Sequence, residues 1–332
     1  MDVATVSRSL NGAYGVREET RRKVLAVAEQ LNYRPNRLAK GLVTGRSRTL
    51  AMVISDIRNA FFAELARGAE DAAYRAGYEL VVCNSDLSSE KQMRYIHSLL
   101  EKRVEGILMN SVAGLSQAEQ QELRQSGVPI VLLNRPPAHV HGFSTVLAGN
   151  FDGGQLAGNY LIRLGHRVIW HLTGPRQHGN LAERTKGFRK GLDGANTEVA
   201  SLIVRGHHST QGAFQMMKKL LAEHRPPSAV FAANDAMAFG VLRAVFESGL
   251  RVPEDISVMG FDDVELAGII RPPLTTIYQP KYEMGWAAAE VLLQQAARPG
   301  QWCPEHRLME VKLVERESCR SISRGKNGQR KD

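Results

Sequence analysis

The sequence predicts an α/β protein: two successive lobes, each a doubly wound parallel sheet, preceded by a short helical head. Three observations predict it. From residue 50 onward, short apolar runs alternate with longer helical patterns, which is the mark of parallel α/β layers. The alternation restarts after Asp152, giving two similar sets in one stretch of chain. Ahead of both lies a basic segment in which two amphipathic patterns meet near Gly12.

The head opens on Asp2, a residue type that caps helix starts by accepting from N–H groups without an intrahelical partner. Val6 and Leu10 then share a face, four residues apart, and Ala4, Thr5, Ser7 and Arg8 lie around the others. A second helical pattern covers residues 17–32, with Val24, Leu25, Ala28 and Leu31 on one side. In the first lobe, residues 50–54, 80–83, 107–109 and 130–133 read as buried strands. Helices are expected over 61–76, 90–102 and 117–126; Gly77 and Gly127 stand just past two of their ends, where positive φ is tolerated. In the second lobe, strands are expected at 168–172, 200–204, 229–232 and 257–259, with helices at 155–163, 184–192, 212–222 and 236–248. Ligands of such sheets bind at the carboxyl ends of the strands, so a cleft between the lobes is the expected site.

A chain of 332 residues with 43% hydrophobic content suits two or three soluble domains. No apolar run approaches the ~18 residues of a membrane span. The amino terminus lacks the apolar core of a secretory signal, so a cytoplasmic location is expected. Cys83, Cys303 and Cys319 have no metal-ligand spacing and fit a reducing compartment. The net charge of +9 is uneven: residues 1–48 carry +6 and residues 316–332 carry +4, leaving a nearly neutral body. A basic head suits phosphate contacts. Residues 317–332 read as a disordered basic tail.

Enzyme motifs are missing. There is no nucleophile elbow, phosphate-binding loop or dinucleotide fingerprint, and the glycines at 149–154 have the wrong spacing. Asp235 or Asp262 could be cast as a general base, but both suit binding better. His207 and His208 are adjacent on a strand end and point apart, so no metal and no other cofactor is expected. His166 and His171 read as structural histidines.

Several strings carry a resemblance. VATVSRSLNG at 3–12, ETRRKV at 19–24 and YRPN at 33–36 resemble the DNA-binding head of the lactose-repressor (LacI) family. DIRNAFF at 56–62, VFAAND at 230–235, VPEDISVMGFDD at 252–263 and PLTTIYQP at 273–280 extend it to about Glu317. Each is weak alone; in order, at this spacing, they are specific and most resemble the ribose-repressor branch. The resemblance implies a two-lobed, periplasmic-binding-protein-like sensor over 49–316, which also dimerises, behind a DNA-binding head over 1–48. It also implies a helix ahead of Val3 that is not in the sequence, so the head is expected to lack its bracing helix. A start codon set too far downstream is a natural explanation. With Val6 and Leu10 unbraced, weak and mainly electrostatic DNA binding is expected.

By the same resemblance Val3, Ala4 and Arg8 read bases; Arg8 can fork to guanine O6 and N7, whereas Val3 and Ala4 offer only apolar contact. Thr5, Ser7 and Asn11 are placed for phosphate. Residues 36–42 resemble a hinge helix whose Leu42 wedges into the minor groove. In the body, Asn59, Phe61, Phe62, Arg135, Arg184, Asn234, Asp262 and Gln279 match sugar-contacting positions. Two departures stand among them: Asn134 where aspartate is usual, and His208 where an aromatic wall residue is usual. The implied effector is therefore ribose or another pentose or hexose. The implied protein is a homodimeric repressor on a palindromic operator, whose DNA affinity is shifted by the sugar. Two other classes remain open: a sugar-binding module without specific DNA binding, separable by affinity for DNA or heparin, and a carbohydrate enzyme, which turnover would reveal.

Overall fold

The computed structural model describes residues 2–10, 12, 14–33, 46–110, 115–134, 142–175, 179–195 and 198–322. The chain divides into two units, Met1–Arg48 and Thr49–Asp332. The first holds helices Val3–Leu10 and Glu18–Gln30. At the start of the first helix the Asp2 carbonyl accepts from the N–H groups of Thr5 and Val6. Thr5, Val6, Ser9 and Leu10 are buried or half-buried, and Val24 is the buried residue of the second helix. Val3, Ala4, Ser7 and Arg8 form one exposed stripe, as spacings of one and four residues dictate. Of the residues read on one side of the second helix, Leu25 and Leu31 are exposed.

The second unit is built on two parallel sheets. The first joins β1 (Thr49–Ile54), β2 (Glu79–Asn84), β3 (Gly106–Met109), β4 (Ile130–Leu133), β5 (Ser144–Ala148) and β11 (His306–Met309), in the order β11-β5-β4-β3-β1-β2. The second joins β6 (Val168–Thr173), β7 (Ala200–Arg205), β8 (Ala229–Ala232) and β9 (Ser257–Met259), in the order β7-β6-β8-β9. β10 (Thr276–Tyr278) pairs antiparallel with β12 (Lys312–Val314) beside the second sheet. β3, β4 and β8 are unbroken apolar runs buried on both faces, which suits a parallel sheet covered by helices on each side.

β5 and β10 were not legible as strands. β5 reads STVLA, and its two hydroxyl residues hide the apolar run. Both are buried but satisfied: Ser144 accepts from Gln295 Nε2 at 2.6 Å, and Thr145 lies 2.9 Å from His306 Nδ1. After helix Lys281–Ala296 the chain returns as two strands, β11 in the first lobe and β12 in the second. The segments 148–150, 278–281 and 309–312 thus each cross between lobes.

The tail needs a correction. Residues 317–322 are not a free end: Ser318 is fully buried, donates to the Val258 carbonyl at 2.6 Å and accepts from Thr275 N at 2.8 Å. Ile322 N adds a bond to the Leu164 carbonyl. One serine hydroxyl therefore stitches β9 to the strand-like segment before β10, which a charge-rich composition does not reveal.

Helix pairs approach with backbone in contact. A Cβ on Gly285 in helix Lys281–Ala296 would sit 1.9 Å from the Leu65 carbonyl oxygen of helix Ala60–Arg75. In the second lobe, a Cβ on Gly187 in helix Gly179–Leu192 would sit 1.8 Å from the Phe151 carbonyl oxygen of helix Asn150–Arg163. This close packing decides where Arg184 stands.

Candidate ligand cleft

The carboxyl ends of β1, β3 and β4 supply Ser55, Asn110 and Asn134 from the first lobe. The segments after β8 and β9 supply Asn234 and Asp262 from the second. Helix starts complete the cleft, with Asn59, Phe61 and Phe62 on one side and Asn180, Leu181 and Arg184 on the other; His208 follows β7. Together they line a cleft of about 450 Å³ of atom-free space, its open mouth included.

Local folding fixes what each group can offer. Asn59 and Asn234 are helix N-caps, their carbonyl oxygens accepting from Phe61 N at 3.0 Å and Met237 N at 2.8 Å. Capping occupies one lone pair of the oxygen and leaves the amide nitrogen as a donor. Asn110 is the reverse: its Nδ2 donates to the Leu133 carbonyl at 3.2 Å, leaving Oδ1 to accept. Phe61 and Phe62 meet edge to face at 5.2 Å and present apolar ring surface of the kind sugar C–H groups pack on.

Arg184 is 2% exposed. Its Nε donates to Asn150 Oδ1 at 2.8 Å and its Nη1 to the Ala233 carbonyl at 2.6 Å. The guanidinium lies 3.7 Å over the Phe261 ring, with Asp262 Oδ1 3.6 Å from Nη1. Burial lowers its pKa to about 10, so it stays charged at neutral pH. Asp262 is held with φ +125°, and Asn134 with φ +48°. Such backbone in non-glycine residues gathers at ligand clamps, where surrounding structure enforces it. Burial pushes the Asp262 carboxyl well above the usual carboxylate range against the pull of Arg184, and burial raises Asp235 likewise.

Eight expected effector residues line the cleft: Asn59, Phe61, Phe62, Asn134, Arg184, His208, Asn234 and Asp262. Gln279 does not line it; it lies fully buried behind, bonded to Asn134 and Asp262. Arg135, and in the head Asn11 and Leu42, fall outside the described residues. Ser55, Asn110, Asn180 and Leu181 were missed. The first two carried a signal, each being the first residue past a parallel strand. Asn180 carried none, because helix Gly179–Leu192 starts a full turn before its expected start.

His171 and His166 are fully buried in the second lobe. Nδ1 of His171 donates to the Phe231 carbonyl at 3.0 Å, and burial pushes both imidazoles down to about 4. These shifts set opposite slopes. Histidines with depressed pKa contribute stability that is lost as pH falls from about 6.5 to about 4. Carboxyls with raised pKa contribute stability that is lost as pH rises through their raised values. The Asp262→Asn variant is therefore expected to lose stability on acidification from pH 7 to 4 more steeply than the parent. Urea midpoints across that range test this; parallel profiles would refute it.

Comparisons with known proteins agree with this geometry. Residues 159–319 match the family model of the periplasmic binding protein-like domain, and residues 2–36 that of bacterial regulatory proteins, lacI family. The chain is 36% identical over 301 residues to the ribose operon repressor of Escherichia coli K12, covering 90% of this chain and 91% of that one. It is similar to the lac repressor dimer bound to operator and the anti-inducer ONPF, with TM-score 0.83, 31% identity, and 96% and 95% coverage. It is also similar to a LacI family transcriptional regulator from Enterococcus faecium with bound ribose, with TM-score 0.74, 30% identity, and 82% and 99% coverage.

Proposed function

The chain belongs to the LacI family of bacterial regulatory proteins, and on that premise we propose that it is a transcription repressor whose affinity for a palindromic operator is set by a small sugar. It acts as a homodimer, as the operator-bound lac repressor does, so that paired heads read paired half-sites. The sugar, ribose or another pentose or hexose, occupies the interlobe cleft. It shifts the population of lobe arrangements and releases the operator, acting as an inducer.

The observation that carries this reading is the cleft itself. Capped asparagines point donors at it, Asn110 and Asp262 supply acceptors, Arg184 a fixed charge and Phe61 with Phe62 an apolar wall. That mixture matches a polyol, whose hydroxyls both donate and accept. In the head, the exposed stripe of Val3, Ala4, Ser7 and Arg8 supports base reading, with Arg8 the residue able to specify guanine.

The test is selection of duplexes from a random-sequence pool, followed by titration at fixed salt with D-ribose and a panel of pentoses and hexoses. A palindromic motif should emerge, and one sugar should weaken its binding. Sequence-independent binding with sugar affinity intact would leave the second reading, a sugar-binding module without specific DNA recognition. Arg8→Ala should weaken binding to the selected site by about 10- to 100-fold and relax one base position. Unchanged base preference in that variant would remove Arg8 from the reading set.

A further inference from the structure

Five side chains around the cleft form a closed circuit. Arg184 Nε donates to Asn150 Oδ1 at 2.8 Å, and Asn150 Nδ2 donates to Asn134 Oδ1 at 2.9 Å. Asn134 Nδ2 donates to Gln279 Oε1 at 3.2 Å, and Gln279 Nε2 donates to Asp262 Oδ1 at 2.6 Å. The 3.6 Å ion pair between Asp262 and Arg184 closes it. Every member is at most 5% exposed.

The direction of this circuit is dictated by its ends. A guanidinium only donates and a carboxylate only accepts. Each amide between them must accept from the arginine side and donate toward the aspartate side. Arg184, Asn134 and Asp262 line the cleft; Asn150 and Gln279 do not. Asn150 is the first residue of helix Asn150–Arg163, where the chain leaves β5 and crosses lobes. Gln279 lies on the return crossing, between β10 and helix Lys281–Ala296.

We propose that Asn150 and Gln279 are positioning residues, which hold three ligand-facing side chains in one orientation through a one-way hydrogen-bond circuit and tie them to two of the segments joining the lobes. The ligand part rests on the cleft being the effector site; the circuit itself does not. A ligand that moves Arg184, Asn134 or Asp262 must strain a bond to a crossing segment. The circuit also accounts for the amide at residue 134. A carboxylate there would set two acceptors face to face at Gln279 Oε1.

The experiment is a polarity swap in the full chain without ligand. Gln279→Glu places an acceptor against Asp262; adding Asp262→Asn restores a donor there with unchanged net charge. Gln279→Glu alone should lower the thermal midpoint by roughly 5 °C. The double variant should recover most of that loss, whereas a loss equal to or greater than the sum of the two single losses overturns the circuit. If Gln279→Glu does not fold, a folded double variant is the expected result, and failure of both overturns the proposal. The sugar that binds the parent in the panel above, starting with D-ribose, then titrates Asn150→Ala. About tenfold weaker binding is expected although no lining residue has changed; parental affinity overturns the positioning role. If no sugar binds the parent, the effector reading falls and the ligand part falls with it, while the ligand-free swap still reports on the circuit.

Discussion

Arg184→Met is expected to destabilise the second unit by about 3–5 kcal/mol and to abolish the sugar response, because it breaks a buried pair from one side only. The methionine keeps apolar contact with Phe261 but withdraws every donor. Asn150 Oδ1 and the Ala233 carbonyl lose their bonds, and Asp262 is left as a buried carboxylate without its cation. The carboxyl can escape by taking up a proton. Its pKa, already raised by burial, would then rise further. A raised carboxyl binds more protons in the folded than in the unfolded state, so stability falls as pH rises. The deficit relative to the parent should accordingly be larger at pH 8 than at pH 6. Urea unfolding at both values is the measurement. A difference from the parent within about 1 kcal/mol at pH 8 would mean that the arginine's own desolvation cancels what the pair contributes. Arg184→Lys should not rescue the response, since a point charge cannot fork between Asn150 and Ala233.

That arginine shows how much of the site was legible. Its role was implied by the resemblance alone, which sets Arg184 at a sugar-contacting position; hydrophobic periodicity placed only the strand ends of the cleft, within a residue or two. Asn150 could not be found in this way. It sits in a glycine-rich stretch, and its importance comes from a side chain 34 positions away, Arg184, and another 16 positions away, Asn134. Gln279 was placed in the right neighbourhood but assigned direct contact, because sequence spacing locates a residue near a cleft without saying which neighbours consume its donor and acceptor. The same limit explains β5 and the Ser318 stitch. Buried hydroxyls look polar in a sequence and become core only when their partners are in place.

Gly187→Ala is expected to be nearly as damaging, by a route that leaves every cleft side chain intact. The added Cβ would meet the Phe151 carbonyl oxygen at 1.8 Å, and neither partner can yield alone, since both belong to helix backbone. A Cβ on Gly154 or on Gly191 would meet the facing helix almost as closely, at 2.1 Å from the Arg184 carbonyl oxygen and 2.5 Å from the Gln155 carbonyl oxygen respectively. Helix Gly179–Leu192 must therefore move away from helix Asn150–Arg163 as a whole, on the order of an ångström. Overpacking usually costs about 1–3 kcal/mol; a methyl driven into a rigid backbone contact should exceed that, at about 4 kcal/mol. The same displacement lengthens the Arg184–Asn150 bond, because its two ends are carried by the two helices that separate. Sugar affinity should then fall at least as far as in Asn150→Ala, whereas an alanine at Gly249, which follows the end of helix Asp235–Glu247 with φ +76° and open space around it, should cost only about 1 kcal/mol and leave affinity unchanged. Thermal unfolding and sugar titration of the two alanine variants side by side separate the effects. Equal sugar affinity in Gly187→Ala and the parent would show that the helix pair can part without carrying Arg184 with it.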